Sequence, residues 1–186
     1  AGPDRQIARA ELDLIATYVA AASKLDGFSV TQVMYVAFTD PVDVSGLPEW
    51  LPADADQRIQ LVDLTPGPDL GRRVPLVWRW LPDETLYLPA RVLAFKPLPG
   101  ATLAPGHTYG ALVMRDLTAQ SPLEAPPAFV DALGGRGPLG DSLVPLAGWL
   151  ADQPELAARV AVATVFTVDD PLDELERIRR AIWEGP

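Results

Sequence analysis

No cysteine occurs among the 186 residues, which excludes disulfides, thiolate catalysis and zinc–thiolate sites together. Histidine occurs once, at His107, so an H-E-x-x-H metal site is ruled out. Basic residues are scarce: 15 Lys and Arg stand against 25 Asp and Glu, a formal net charge of -10. A chain of that sign is a poor partner for a nucleic-acid backbone or an anionic membrane surface. No apolar run reaches the roughly 18 residues of a membrane span, so no membrane insertion is expected. A G-x-S-x-G nucleophile elbow is missing. Gly134-Gly135-Arg136-Gly137 has no strand before it and no Lys-Ser/Thr after it, so it makes no phosphate loop.

Proline, by contrast, is frequent at 20 residues, and 48% of the chain is hydrophobic. Proline is tolerated at sheet edges, corners and helix starts rather than inside central ladders. Enough apolar residues for a core, combined with many corners, favour a β-sandwich with elaborate loops over a helical bundle. The length suits one domain, or a small domain with appendages.

The stretch from Arg91 to Arg115 organises the rest. Val92-Leu93-Ala94-Phe95 and Tyr109-Gly110-Ala111-Leu112-Val113-Met114 are short apolar runs on either side of Leu103-Ala104-Pro105-Gly106-His107-Thr108. Pro fixes φ and Gly supplies a positive φ in that corner, so the two runs are expected to be neighbouring antiparallel strands. Upstream, Ile7, Leu14, Ile15, Tyr18, Val19, Ala22 and Leu25 recur at helical spacing, giving an amphipathic helix over residues 1–26. Strands are expected at 32–38, 59–64 and 73–80, with Val74, Leu76, Trp78 and Trp80 sharing one face, and Leu86-Tyr87-Leu88 begins a short edge piece. Residues 45–57 read as an acidic loop.

Beyond residue 118 the composition changes. Residues 119–158 form a helical and loop insertion, with short helices over 143–151 and 155–158. Arg159 to Val168 is the strongest strand of the chain, and its near-continuous apolar character predicts burial on both faces. Asp169-Asp170-Pro171 caps a final helix whose apolar stripe is Leu172, Leu175, Ile178, Ile182 and Trp183. The division is therefore 1–26, 27–118, 119–158, and a strand plus helix or connector over 159–186. Ala1 in place of an initiator Met, and Glu184-Gly185-Pro186 closing as a helix finishes, are what a mature or trimmed fragment would show.

The order FTDPVD, then LAFKPLPGATLAPGHTYGALVMRDL, resembles a bacterial Ig-like domain of the kind found in surface-layer and other exported proteins. The matching positions are Phe38, Thr39, Pro41, Val42 and Asp43, then Pro97, Leu103, Pro105, Gly106, Thr108 and Tyr109. With LDGFS at 25–29, LVDLTPGPDLGRRVP at 61–75 and VATVFTVDDP at 162–171, the set resembles the N-terminal region of exported bacterial proteins, some with a lipase-like α/β-hydrolase domain downstream. The likeness spans residues 27–117. The N-terminal helix and the 119–158 insertion depart from a simple Ig-like module.

The resemblance implies an Ig-like β-sandwich in an exported bacterial protein. It also implies a non-catalytic accessory role, as spacer, adaptor or cover for a downstream domain or partner chain. It carries no catalytic set, and none is assigned: no catalytic residue, metal or cofactor is expected in this chain alone.

The residues leave two alternatives. Trp78 and Trp80, with Trp50 and Tyr87 nearby, would form an aromatic strand face for a carbohydrate or cell-surface ligand. The opposing reading puts the two indoles in the core or in a domain interface. The second alternative is a hydrolase whose site another domain completes. His107 would need an orienting acid and a nucleophile beside it to carry protons, and otherwise is a solvated turn residue. The pairs Asp40/Asp43, Asp54/Asp56 and Asp169/Asp170 have the oxygens calcium prefers but lack the spacing of an EF-hand loop.

Overall fold

The computed structural model describes residues 16–20, 27–118, 121–170 and 172–184. Residues 16–20 are helical; the rest of the helix expected over 1–26 lies outside the described residues. The body is mostly β with added helices. Seven strands form two antiparallel sheets: β1 (Met34–Ala37), β2 (Trp50–Leu51), β3 (Ile59–Asp63), β4 (Leu76–Leu81), β5 (Val92–Pro97), β6 (Thr108–Met114) and β7 (Val160–Thr167). One sheet has the order β1-β5-β4-β2 and the other β3-β6-β7. A 3-10 turn, Arg115–Leu117, follows β6. Besides residues 16–20, the helices among the described residues are α1 (Pro127–Leu133), α2 (Gly140–Ala151), α3 (Pro154–Arg159) and α4 (Asp173–Glu184).

Alternation along the strands makes two cores. Met34, Leu51, Leu76, Leu93 and Phe95 from the first sheet meet Ile59, Leu61, Tyr109, Ala111, Val113 and Phe166 from the second in one apolar cluster. The opposite face of the second sheet offers Val62, Leu112, Met114 and Val160, and Phe129 of α1 with Leu143, Leu146 and Leu150 of α2 pack onto it. The insertion is thus a third layer that covers the outside of β3-β6-β7. Gly110 of β6 makes room for Leu64: a Cβ there would lie 2.9 Å from Leu64 Cδ1, while Leu146 Cδ1 of α2 at 3.5 Å is in ordinary contact.

Four expectations from the sequence need correction. β5 and β6 are not neighbours, because β5 already pairs with β1 and β4 while β6 pairs with β3 and β7. The Pro-Gly segment between them crosses from one sheet to the other, and Leu103 is buried in the shared core on the way. Within the acidic loop, Trp50–Leu51 pairs with Val77 and Leu76, and Leu51 is fully buried. Leu86-Tyr87-Leu88 is not an edge strand: Thr85 closes it into a turn, its hydroxyl accepting from the Leu88 N–H at 2.9 Å. Finally, β7 packs into both cores, through Phe166 and Val160, but is less completely covered than β3 and β6, its Thr164 and Thr167 being exposed. Its apolar run is nonetheless paired along β6, so it belongs to the sandwich body.

Candidate functional site

The one buried carboxylate is the place to look for chemistry among the described residues. Asp63 ends β3 and is 3% exposed. The antiparallel register puts it opposite Tyr109, the second residue of β6, and the corner before β6 delivers His107 to the same end of the sheet. His107 Nδ1 donates to Asp63 Oδ2 at 2.6 Å. The other carboxylate oxygen accepts the Thr65 N–H at 2.8 Å, an Asx turn that starts the loop back to Arg73. Tyr109 stacks with His107 on one side and Phe166 on the other. Its hydroxyl accepts from the Ala104 N–H at 3.0 Å. Burial pushes the phenol pKa upward and the neighbouring Asp63 charge adds to the rise, while the Ala104 bond opposes it.

Asp69, Arg72, Arg73, Ala101 and Thr102 complete a cleft of about 120 Å³ over this cluster. That is far below the few hundred Å³ of a typical small-molecule site. Arg73 is occupied within the wall, its Nε donating to Gln60 Oε1 at 3.0 Å, and Arg72 lies 3.3 Å from Asp69. The arrangement supplies the orienting acid that the sequence could not place beside His107. No serine lines the cleft, and its hydroxyls are those of Thr102 and Tyr109. The Thr65 hydroxyl accepts the Thr108 N–H at 2.9 Å. The imidazole held by the acid clips the corner before β6 to the end of β3. His107 is therefore not simply a solvated turn residue. Forty-four positions separate it from Asp63, and only the strand register could have revealed the contact.

The four aromatic residues singled out from the sequence do not share one surface. Trp78 and Trp80 point to the inner side of β4 and pack against the inter-sheet core. The Trp78 indole donates to the Pro48 carbonyl at 2.7 Å, and Trp80 meets the Phe38 ring with centroids 5.8 Å apart. Trp50 pairs with Val77 on the opposite face and is exposed. Tyr87 lies in the turn between β4 and β5, 89% exposed.

The acidic pairs are engaged in their own turns. Asp43 accepts the Ser45 N–H, Asp54 the Asp56 N–H, and Asp170 the Leu172 N–H, each at about 3 Å. Hydrogen bonds from the Ser45 side chain and backbone hold the Asp43 carboxyl below its ordinary pKa. Among the described residues no three acidic or histidine side chains gather where a metal ion would sit, and no helix is long and apolar enough to cross a membrane. Comparison of the chain with models of known protein families, with curated proteins and with solved structures finds no match.

Proposed function

We propose that the chain is a non-catalytic, Ig-like accessory domain of an exported bacterial multidomain protein, packing on or linking to a neighbouring domain. The observation that carries this reading is the bond from the Ala104 N–H to the Tyr109 hydroxyl, five residues on. A Tyr near the start of the penultimate strand, tied by its hydroxyl to backbone just upstream, is the tyrosine corner of Ig-like sandwiches. Strand order supports it. The order β3-β6-β7 corresponds to C-F-G and β1-β5-β4 to B-E-D. Residue Phe28 bridges Val168 in parallel beside the last strand. The short β2 on the far edge and the helical layer are additions to that plan.

The accessory role is favoured by α4. Leu172 just before it and Leu175, Ile178, Ile182 and Trp183 within it are all at least half exposed. A helix with an apolar stripe gains most of its stability by burying it, so a surface outside the described residues is the natural cover. The test is oxidative footprinting of Trp183 in the protein as its source cell makes it, against the isolated chain. Protection in the longer native product is the expected result. Equal labelling, or hydrolytic activity in the isolated chain, would overturn the reading.

A further inference from the structure

The helices treat the two sheets differently. The outer face of β3-β6-β7 lies under α1 and α2, whereas among the described residues most side chains on the outer face of β1-β5-β4-β2 are open, with Val92 at one end buried. Strand register places the side chains on that outer face. Tyr35, Ala94 and Arg79 sit side by side across β1, β5 and β4. One outward row along, Lys96, Val77 and Trp50 sit side by side across β5, β4 and β2. Tyr35 and Trp50 are about half exposed, Arg79 and Lys96 are exposed, and Ala94 and Val77 are half-buried.

These two rows make a diagonal track. An aromatic residue stands at each end, on the two edge strands, about 16 Å apart at the usual strand spacing and residue rise. Ala94 and Val77 form a low apolar floor between them. Arg79 and Lys96 flank the floor on opposite sides. Neither cation makes an ion pair with an acidic side chain among the described residues. Two cations without an acidic partner among the described residues, on one face of a chain of net charge -10, point to a ligand of negative charge.

We propose that this track binds an anionic oligosaccharide, a chain of sugar rings bearing carboxylate or sulfate groups. The apolar faces of the rings stack on Tyr35 and Trp50. The anionic substituents meet Arg79, whose fork suits two oxygens at once, and Lys96. The small floor residues let an extended polymer lie flat across the strands. Size argues against a protein as the occupant: four short strands present roughly 300–400 Å², about half of what one partner buries in a standard interface. The inference goes beyond the accessory role and concerns a face remote in sequence from α4. Its failure would leave the Trp183 footprint untouched.

The test is calorimetric titration of the full chain with oligogalacturonate, a heparin oligosaccharide, a neutral malto-oligosaccharide and a poly-glutamate peptide. One of the two anionic sugars is expected to bind, with affinity falling as salt rises. The neutral sugar and the peptide should bind at least about tenfold more weakly, since each lacks one of the two contacts. Trp50→Ala and Tyr35→Ala should each weaken binding by about tenfold. The pair Arg79→Glu with Lys96→Glu should abolish it at an unchanged unfolding midpoint, and Trp183→Ala should leave it as it was. Carboxylated and sulfated probes together decide which anion is preferred. Absence of binding to both, equal binding of the neutral sugar or the peptide, or binding that survives the Trp50 and charge-reversal variants would overturn the proposal.

Discussion

Asp63 Oδ2 lies 2.6 Å from His107 Nδ1, with the acid buried and the imidazole about a quarter exposed. The contact ties the end of β3 to the corner that delivers β6. It joins two segments forty-four residues apart, so a contribution to stability is expected. A double-mutant cycle of Asp63→Ala and His107→Ala, read by urea unfolding, should give a coupling of about 1–3 kcal/mol. Asp63→Ala alone should cost more than His107→Ala, because it also strips the Thr65 N–H of its acceptor. A coupling near zero would mean that the two side chains act independently.

Tyr109→Phe tests the corner itself. Removing the hydroxyl leaves the Ala104 N–H without its acceptor, at a cost of about 1–2 kcal/mol. The phenol pKa is raised in the folded chain, so the fold favours the neutral form. That stability is fully present below the ordinary tyrosine value and is lost as pH rises through the higher folded value. Unfolding midpoints measured from neutral to strongly alkaline pH should fall at the alkaline end, and the part of that fall due to Tyr109 should vanish in Tyr109→Phe.

Much of this body was legible in the sequence, and the failures have physical causes. Alternation located β3 and β4, and short apolar runs located β5 and β6, because each has apolar side chains to bury. The same signal overstated β7, since an apolar run reads alike in a central strand and in an edge strand lying beside another layer. Trp50–Leu51 escaped because two residues are too few for a period. Pairing of β5 with β1 and β4 was not readable, for a corner sequence fixes a change of direction but not the sheet that the chain enters next. The aromatic residues show the same limit. Alternation grouped Trp78 with Trp80 correctly, but which face of β4 turns inward depends on the opposing sheet. It put both indoles against the core and left Tyr35, unremarked as a surface residue in the sequence, on the outer face with Trp50.

Gly110→Ala should show how tightly Leu64 packs on the second sheet. The added methyl would lie 2.9 Å from Leu64 Cδ1, whereas Leu146 Cδ1 at 3.5 Å is in ordinary contact. Overpacking of this kind costs about 1–3 kcal/mol. Leu64→Ala alone should cost about 2–4 kcal/mol through the cavity it leaves. In the double variant the new methyl gains room, so the combined cost should fall short of the sum of the two. Strict additivity, measured by chemical unfolding, would show that Gly110 and Leu64 do not share the same space.

Removal of α4 is the contrasting case. Every apolar residue of its stripe is at least half exposed, and Trp183 is 82% exposed, so the helix contributes little burial to the sandwich. Truncation after Asp170 should therefore shift the free energy of unfolding by less than about 1 kcal/mol, within the range of surface changes that break no packing. The Trp183 indole in the full chain should fluoresce as a water-exposed group and be quenched readily by iodide. A large loss of stability on truncation would mean that the stripe is already covered within this chain. The apolar residues of α4 would then belong to its core rather than to a contact with a neighbour.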